Sequence, residues 1–216
     1  MGDAVLVAVG RRPNVSGMNL DAAGVKHSLS GITVDAFLRT TARGIYAAGD
    51  CVGDFQFTHY AGFQAAIAVR NALLPGKSRA RPERVPWATF TDPEVAQAGH
   101  TDAQARDAFG GKVRTTILEM AQIDRAVIDG TTTGFIKVTH RANGDVLGAT
   151  VVGPRAAEVV QEWTNAIDQG MSLSDVLKSI HPYPSLATGN QQVAWESYLS
   201  GITSGFRGKL LRLVSR

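Results

Sequence analysis

Cysteine is almost absent. Cys51 is the only one in 216 residues, so no intrachain disulfide can form, and dithiol chemistry would need a second thiol from elsewhere. Long hydrophobic runs are lacking as well. No stretch approaches the roughly 20 apolar residues that span a bilayer. The run Ala4 to Val9 is too short for a secretory leader and follows Asp3, where positive charge is expected. These absences make the cytoplasm the expected compartment, with no membrane partner. Charge of one sign is scarce: the net +3 is small and scattered. No basic run interleaves with aromatics, which argues against a nucleic-acid partner. The nearest approach is the tail, where Arg207, Lys209, Arg212 and Arg216 alternate with Leu210, Leu211 and Leu213; it reads as a solvated helix end. There are no internal repeats, no low-complexity tracts, no metal-ligand spacing and no G-x-G-x-x-G turn to cradle a pyrophosphate.

What is present has an ordinary globular balance, 44% apolar and 19% charged, enough for one large or two small cored domains. Ala4 to Val9 is an apolar run of strand length, stopped by Gly10 and Pro13. Apolar on both faces, it predicts a strand inside an α/β sheet. A domain seldom opens at the depth of its core, so further sequence upstream is expected. Short strands are predicted at Ile32–Val34 and Ile45–Ala47. A helix follows from Thr58 to Leu74, with the small residues Ala61, Ala65, Ala68 and Ala72 on its buried face and Pro75-Gly76 as its stop.

Residues 76–86 are polar and punctuated by Pro82 and Pro86, which sets domains of 1–82 and 83–216. Beyond this linker the pattern is α+β. Strands are predicted at Trp87–Phe90, Val113–Leu118, Gly134–Thr139 and Val146–Val152, the last two joined by a hairpin at Asn143-Gly144. Thr101 with Gln104 reads as a capping box for a helix running to Phe109. A second helix runs from Pro154 to Gln169 and stops at Gly170, and a third runs from Ser185 to Leu199.

Three patterns, in order, carry a resemblance. "VAVGRRPN" with "ITVDAFLRTTARGIYAAGD" is similar to the return from nicotinamide to flavin domain in two-dinucleotide-domain flavoproteins. "VPWATFTDPEVAQAGHTDAQAR" resembles the opening of their interface domain. "IHPYPSLA" resembles the motif donated to the partner subunit's active site. The chain is identified on these motifs as resembling the C-terminal part of class I pyridine nucleotide–disulfide oxidoreductases, the dihydrolipoamide dehydrogenase and mercuric reductase-like flavoproteins. The resemblance implies an α+β interface (dimerisation) domain preceded by an incomplete α/β FAD-binding domain. It implies FAD and NAD(P) in the complete enzyme, a homodimer, and a disulfide, metal or quinone-type acceptor. It assigns Asp50, after Gly49, to a ribityl hydroxyl, since α/β ligands sit at the carboxyl ends of strands. Phe57, Thr58 and His59 become flavin neighbours at a helix N-terminus, and Gly10 a nicotinamide-domain contact.

The sequence also departs from the family. The pyrophosphate turn, the redox cysteine pair and most of the nicotinamide domain do not occur here, so the chain alone is expected to bind no cofactor and to be inactive. Cys51 reads as a small buried residue. The family's acid–base His precedes a Pro and has a Glu five residues later. Aligned through "YPSLAT", the His position is Tyr183 and the Glu position Thr188; aligned through His181-Pro182, the Glu position is Leu186. Tyr183 fits the mercuric reductase-like branch, which ends in a cysteine pair that this C-terminus does not have. The competing function is a stand-alone, non-enzymatic dimerisation module. The stripes of the last two helices, with Trp163 and Trp195, are expected to contribute to a dimer interface.

Overall fold

The computed structural model describes residues 2–204, the last four by backbone only. The basic tail from Arg207 to Arg216 lies outside the described residues. The chain divides into two units, one ending at Val85 and the other starting at Pro86.

The first unit has little regular sheet. A tight hairpin joins β1 (His27–Ser28) to β2 (Gly31–Ile32). Isolated bridges join Val34 to Thr40 and Arg39 to Tyr46. A 3-10 turn at Asp50–Val52 precedes α1 (Thr58–Leu73). Val25, Ile32 and Ala47 form a small core flanked by Val15, Leu20, Val34, Ala42, Cys51 and Val52. Three expectations change here. Ile45–Ala47 forms no strand, only the isolated bridge at Tyr46. Ala4 to Val9 forms no strand, and Val5 and Val9 are 91% and 92% exposed. High β propensity is no substitute for a neighbouring strand to take up the backbone hydrogen bonds. Of the four alanines expected on the buried face of α1, only Ala68 is buried. That face is Tyr60, Gln64 and Ala68, at i, i+4 and i+8, while Ala65 and Ala72 are exposed.

The second unit is built on a five-stranded antiparallel sheet. Its strands are β3 (Trp87–Thr89), β4 (Glu94–Gly99), β5 (Val113–Glu119), β6 (Phe135–Arg141) and β7 (Val146–Gly153), in the order β3-β4-β7-β6-β5. Pairing of Ala96 with Val151, Val151 with Ile136, and Ile136 with Leu118 puts these residues on one face. That face is buried, with Ala98, Ala149 and Val138 beside them. The predicted capping box is present: Thr101 and Gln104 cap α2 (Asp102–Phe109) reciprocally. Four further helices complete the unit: α3 (Asp124–Ile128), α4 (Ala156–Gln169), α5 (Leu173–Val176) and α6 (Thr188–Ser204).

Left-handed Gly170 stops α4 as its sequence predicts, but Arg155, also left-handed, is the N-cap and Pro154 stands outside the helix. The last helix begins at Thr188 rather than Ser185, because a turn occupies the residues just before it. Strand β4 had no clear sequence signature. Trp163 is fully buried, so it packs the core and is not part of an outer face; Trp195 is about half exposed.

Candidate functional site

In the first unit the turn Gly49–Asp50 sits against α1. Gly49 has φ 83°, and a Cβ there would stand 3.2 Å from the Ala61 Cβ. Its N–H donates to the buried Gln64 Oε1 at 2.7 Å, which fixes the turn to the helix. Asp50 follows with its side chain exposed. The first turn of α1 has no side-chain cap from Phe57 and no acidic residue, and a helix start of this kind carries positive polarity. Phe57 and His59 stack at 5.3 Å between ring centroids, and Phe55 stacks on Phe57 at 6.1 Å. Arg11 donates to the Gln56 carbonyl at 3.0 Å, which brings the chain after Gly10 (φ 113°) beside the start of the helix. The structure therefore gathers Gly49, Asp50, Phe57, Thr58 and His59 around the N-terminus of α1, with Gly10 one residue from the arginine that reaches it. Cys51 is half-buried and its thiol faces the Ala48 carbonyl at 3.3 Å.

The second unit presents the motif "IHPYPS" as a surface loop between α5 and α6. Tyr183 is 72% exposed, and its hydroxyl donates to Asp124 Oδ2 at 3.1 Å. That hydrogen bond to a carboxylate, with its negative charge, holds the Tyr183 phenol above its usual pKa. Tyr183 therefore stays protonated at neutral pH.

His181 faces the other way. Only 6% of its side chain is exposed; Nε2 meets Glu162 Oε1 at 2.9 Å and Oε2 at 3.0 Å, and Nδ1 meets the Ser179 carbonyl at 3.2 Å. Glu162 Oε2 also accepts from Asn190 Nδ2 at 2.9 Å, and Asn190 Oδ1 accepts from Trp163 Nε1 at 2.7 Å. Glu162, Asn190 and Asp124 were not singled out from sequence. Asn190 had a readable signal: it shares the i, i+3, i+4 register of Val193 and Ala194, so a polar group falls on an apolar helix face. Glu162 and Asp124 meet their partners across 19 and 59 residues, a separation that local pattern does not report. Among the described residues, no group of three or more His, Cys, Asp or Glu could hold a metal ion. None of the described helices is long and apolar enough to cross a membrane.

Comparison with known proteins agrees with this geometry. Residues 85–194 match the dimerisation domain of the pyridine nucleotide-disulphide oxidoreductases, and residues 1–65 match the pyridine nucleotide-disulphide oxidoreductase model. The chain is 36% identical to a mercuric reductase of Staphylococcus aureus over 87% of its own length and 34% of that protein. It is 39% identical to a dihydrolipoyl dehydrogenase of Thermus scotoductus over 89% of its length and 41% of that protein. The structure resembles LpdA of Mycobacterium tuberculosis at 33% identity and TM-score 0.79, covering 85% of this chain and 40% of that one. It also resembles the HOCl-induced flavoprotein disulfide reductase RclA of Escherichia coli at 30% identity and TM-score 0.83, covering 89% and 45%. The chain thus spans less than half the length of these relatives. A turn set against the start of α1, followed by a five-stranded antiparallel unit carrying the Tyr183 loop, belongs to a known family: the chain is the C-terminal part of a class I pyridine nucleotide-disulphide oxidoreductase, dimerisation domain included.

Proposed function

We propose that this chain is the flavin-contacting and dimer-forming part of an FAD- and NAD(P)-dependent cytoplasmic oxidoreductase, and that the chain alone is inactive. One observation carries the reading: a single chain holds both the Gly49–Asp50 turn against α1 and a dimerisation domain that presents Tyr183. The residues present fit a flavin. The Gly49 turn has no Cβ to block close approach, Asp50 offers an exposed carboxylate, and Phe57 puts no side-chain cap on the start of α1. Asp50 would accept from a ribityl hydroxyl, and the amides at Thr58 and His59 would favour negative charge beside them. Phe57 would pack against the same group, and Gly10 would lie on the nicotinamide side. When bound, NAD(P)H and FAD supply the hydride and electron relay to the acceptor.

Tyr183 is the group this chain would present to its partner's active site in a homodimer. With its proton directed to Asp124 and its pKa raised, the phenol is a poor general base at neutral pH. Its oxygen can still accept a hydrogen bond or help hold a soft metal. Exchange with a dithiol needs a base, so the complete enzyme should favour a metal or quinone-type acceptor over a disulfide. The test is the whole reading frame expressed with Tyr183 or with Tyr183→Phe. Loss of acceptor reduction with flavin reduction by the nicotinamide unchanged supports the reading; parental rates on every acceptor overturn the role of Tyr183. The purified 216-residue chain should be colourless and should not oxidise NAD(P)H. A stoichiometric flavin band would contradict that, because flavin binding would then not need a pyrophosphate turn.

A further inference from the structure

From Lys178 to Pro184 every residue but one is exposed, Ile180 by 97% and Tyr183 by 72%. The exception is His181. The ends of this stretch have other holds: Gln191 Nε2 donates to the Ser179 carbonyl at 2.9 Å, and Thr188 Oγ1 donates to the Ser185 carbonyl at 2.6 Å. Its middle is tied by the exposed Tyr183 hydroxyl to Asp124 and, as its one buried side chain, by the His181 ring. Both ring nitrogens are already engaged, Nε2 by the Glu162 carboxylate and Nδ1 by the Ser179 carbonyl. With both nitrogens turned to protein acceptors, the ring serves the loop as an inward anchor.

The anchor is held in turn. Asn190, fully buried, donates to Glu162 Oε2 and to the Val159 carbonyl at 3.0 Å, and accepts from the indole of Trp163, also fully buried. A continuous polar chain therefore runs from the core between α4 and α6 to the middle of an exposed loop. Each buried member has its hydrogen bonds used, the condition under which such a network fixes one geometry.

We infer that Glu162, steadied by Asn190, is a positioning residue: it clamps His181 and so sets where the Tyr183 phenol stands beside Asp124. The inference rests on the reading of Tyr183 as the presented group, but its test needs no enzyme activity. Tyrosine Cζ labelling of the purified chain, with the Tyr183 signal identified by its absence in Tyr183→Phe, follows the Tyr183 titration directly. In the parent chain it should lie above the ordinary ~10. Removing the clamp with Glu162→Ala or His181→Ala should move it down towards that value, although neither residue touches Tyr183.

Asp124→Asn should move it down as well, while leaving the ring-nitrogen signals of His181 unchanged; this separates loss of the partner from loss of the clamp. Glu162→Gln keeps the size of the side chain, and should shift Tyr183 in the same direction by less, so it serves if the alanine variants do not fold. An unmoved Tyr183 titration in the folded Glu162 and His181 variants overturns the inference. An active Tyr183→Phe parent enzyme would instead overturn the functional reading and leave the clamp standing.

Discussion

Asn190 sets the energetic stakes of single residues here. It lies in an apolar register of α6 yet is fully buried, and its amide satisfies the Trp163 indole, the Val159 carbonyl and the Glu162 carboxylate. Asn190→Ala should therefore cost more than an average buried substitution, about 2–4 kcal/mol, because it strands polar groups as well as opening a small void. Urea unfolding measures this; a loss under about 1 kcal/mol would mean that water replaces the amide. His140 offers a pH-dependent counterpart. It is buried at the end of β6; Nδ1 donates to the Arg141 carbonyl at 2.9 Å, and Nε2 then accepts from Thr116 Oγ1 at 3.0 Å. Burial, outweighing the Arg141 bond and helped by the charge of Arg114, depresses its pKa. The unfolded chain thus binds the proton first as pH falls. Stability from this site is full above the unfolded value of about 6.5, and is lost as pH drops from there through the lower folded value. The urea midpoint should fall between about pH 7.5 and 5.5, and His140→Gln should flatten that fall. An equal fall in both proteins would assign the effect to other groups.

Elements show where local pattern suffices. The β6–β7 hairpin was legible because Asn143-Gly144 supplies the backbone the turn requires, and Gly144 has φ 95°. The capping box of α2 and the Gly170 stop of α4 are equally local. Strand β4 and the run Ala4 to Val9 fail in opposite directions. "EVAQAG" has weak β propensity but is paired on both sides, with β3 and β7; the valine-rich run has high propensity and no strand beside it. Pairing overrides propensity in both cases, and pairing is non-local. The same limit hid the Glu162–His181 clamp, whose members lie on different elements. Close packing at β7 gives a test at this scale. A Cβ on Gly148 would stand 1.9 Å from the His100 carbonyl oxygen, where the chain leaving β4 crosses over and His100 N–H bonds the Leu147 carbonyl at 3.0 Å. Intrinsic preference would slightly favour alanine in a strand, but the obstacle is backbone and cannot rotate away. Gly148→Ala should destabilise by about 2 kcal/mol or more, visible as a lower urea midpoint with an unchanged m-value. A neutral result would mean that the β4–α2 connection moves freely.

At the scale of the whole molecule the open question is what covers the outer side of α6. Gln191, Trp195 and Tyr198 fall at i, i+4 and i+7, on one stripe of the helix. Gln191 fastens that stripe to the Tyr183 loop through the Ser179 carbonyl. Trp195 and Tyr198 are 51% and 48% exposed and stack at 5.7 Å. Exposed aromatics on a helix, with Ile180 and Tyr183 exposed on the loop that Gln191 ties to it, are of the kind enriched at association sites. With a dimerisation domain in the chain, the occupant we expect is a second copy. Obligate dimers commonly bury more than about 2,000 Å² in total, and aromatic residues near the centre of such an interface carry much of its energy. The purified chain should therefore scatter light as a dimer at micromolar concentration. Trp195→Glu, which puts a charge on that face and leaves the buried Trp163 untouched, should shift it towards monomer with its circular dichroism intact. A monomeric parent chain would show that this unit needs the rest of a flavin domain to pair. A dimer indifferent to Trp195→Glu would place the interface on another face, and with it the surface from which Tyr183 could reach a partner.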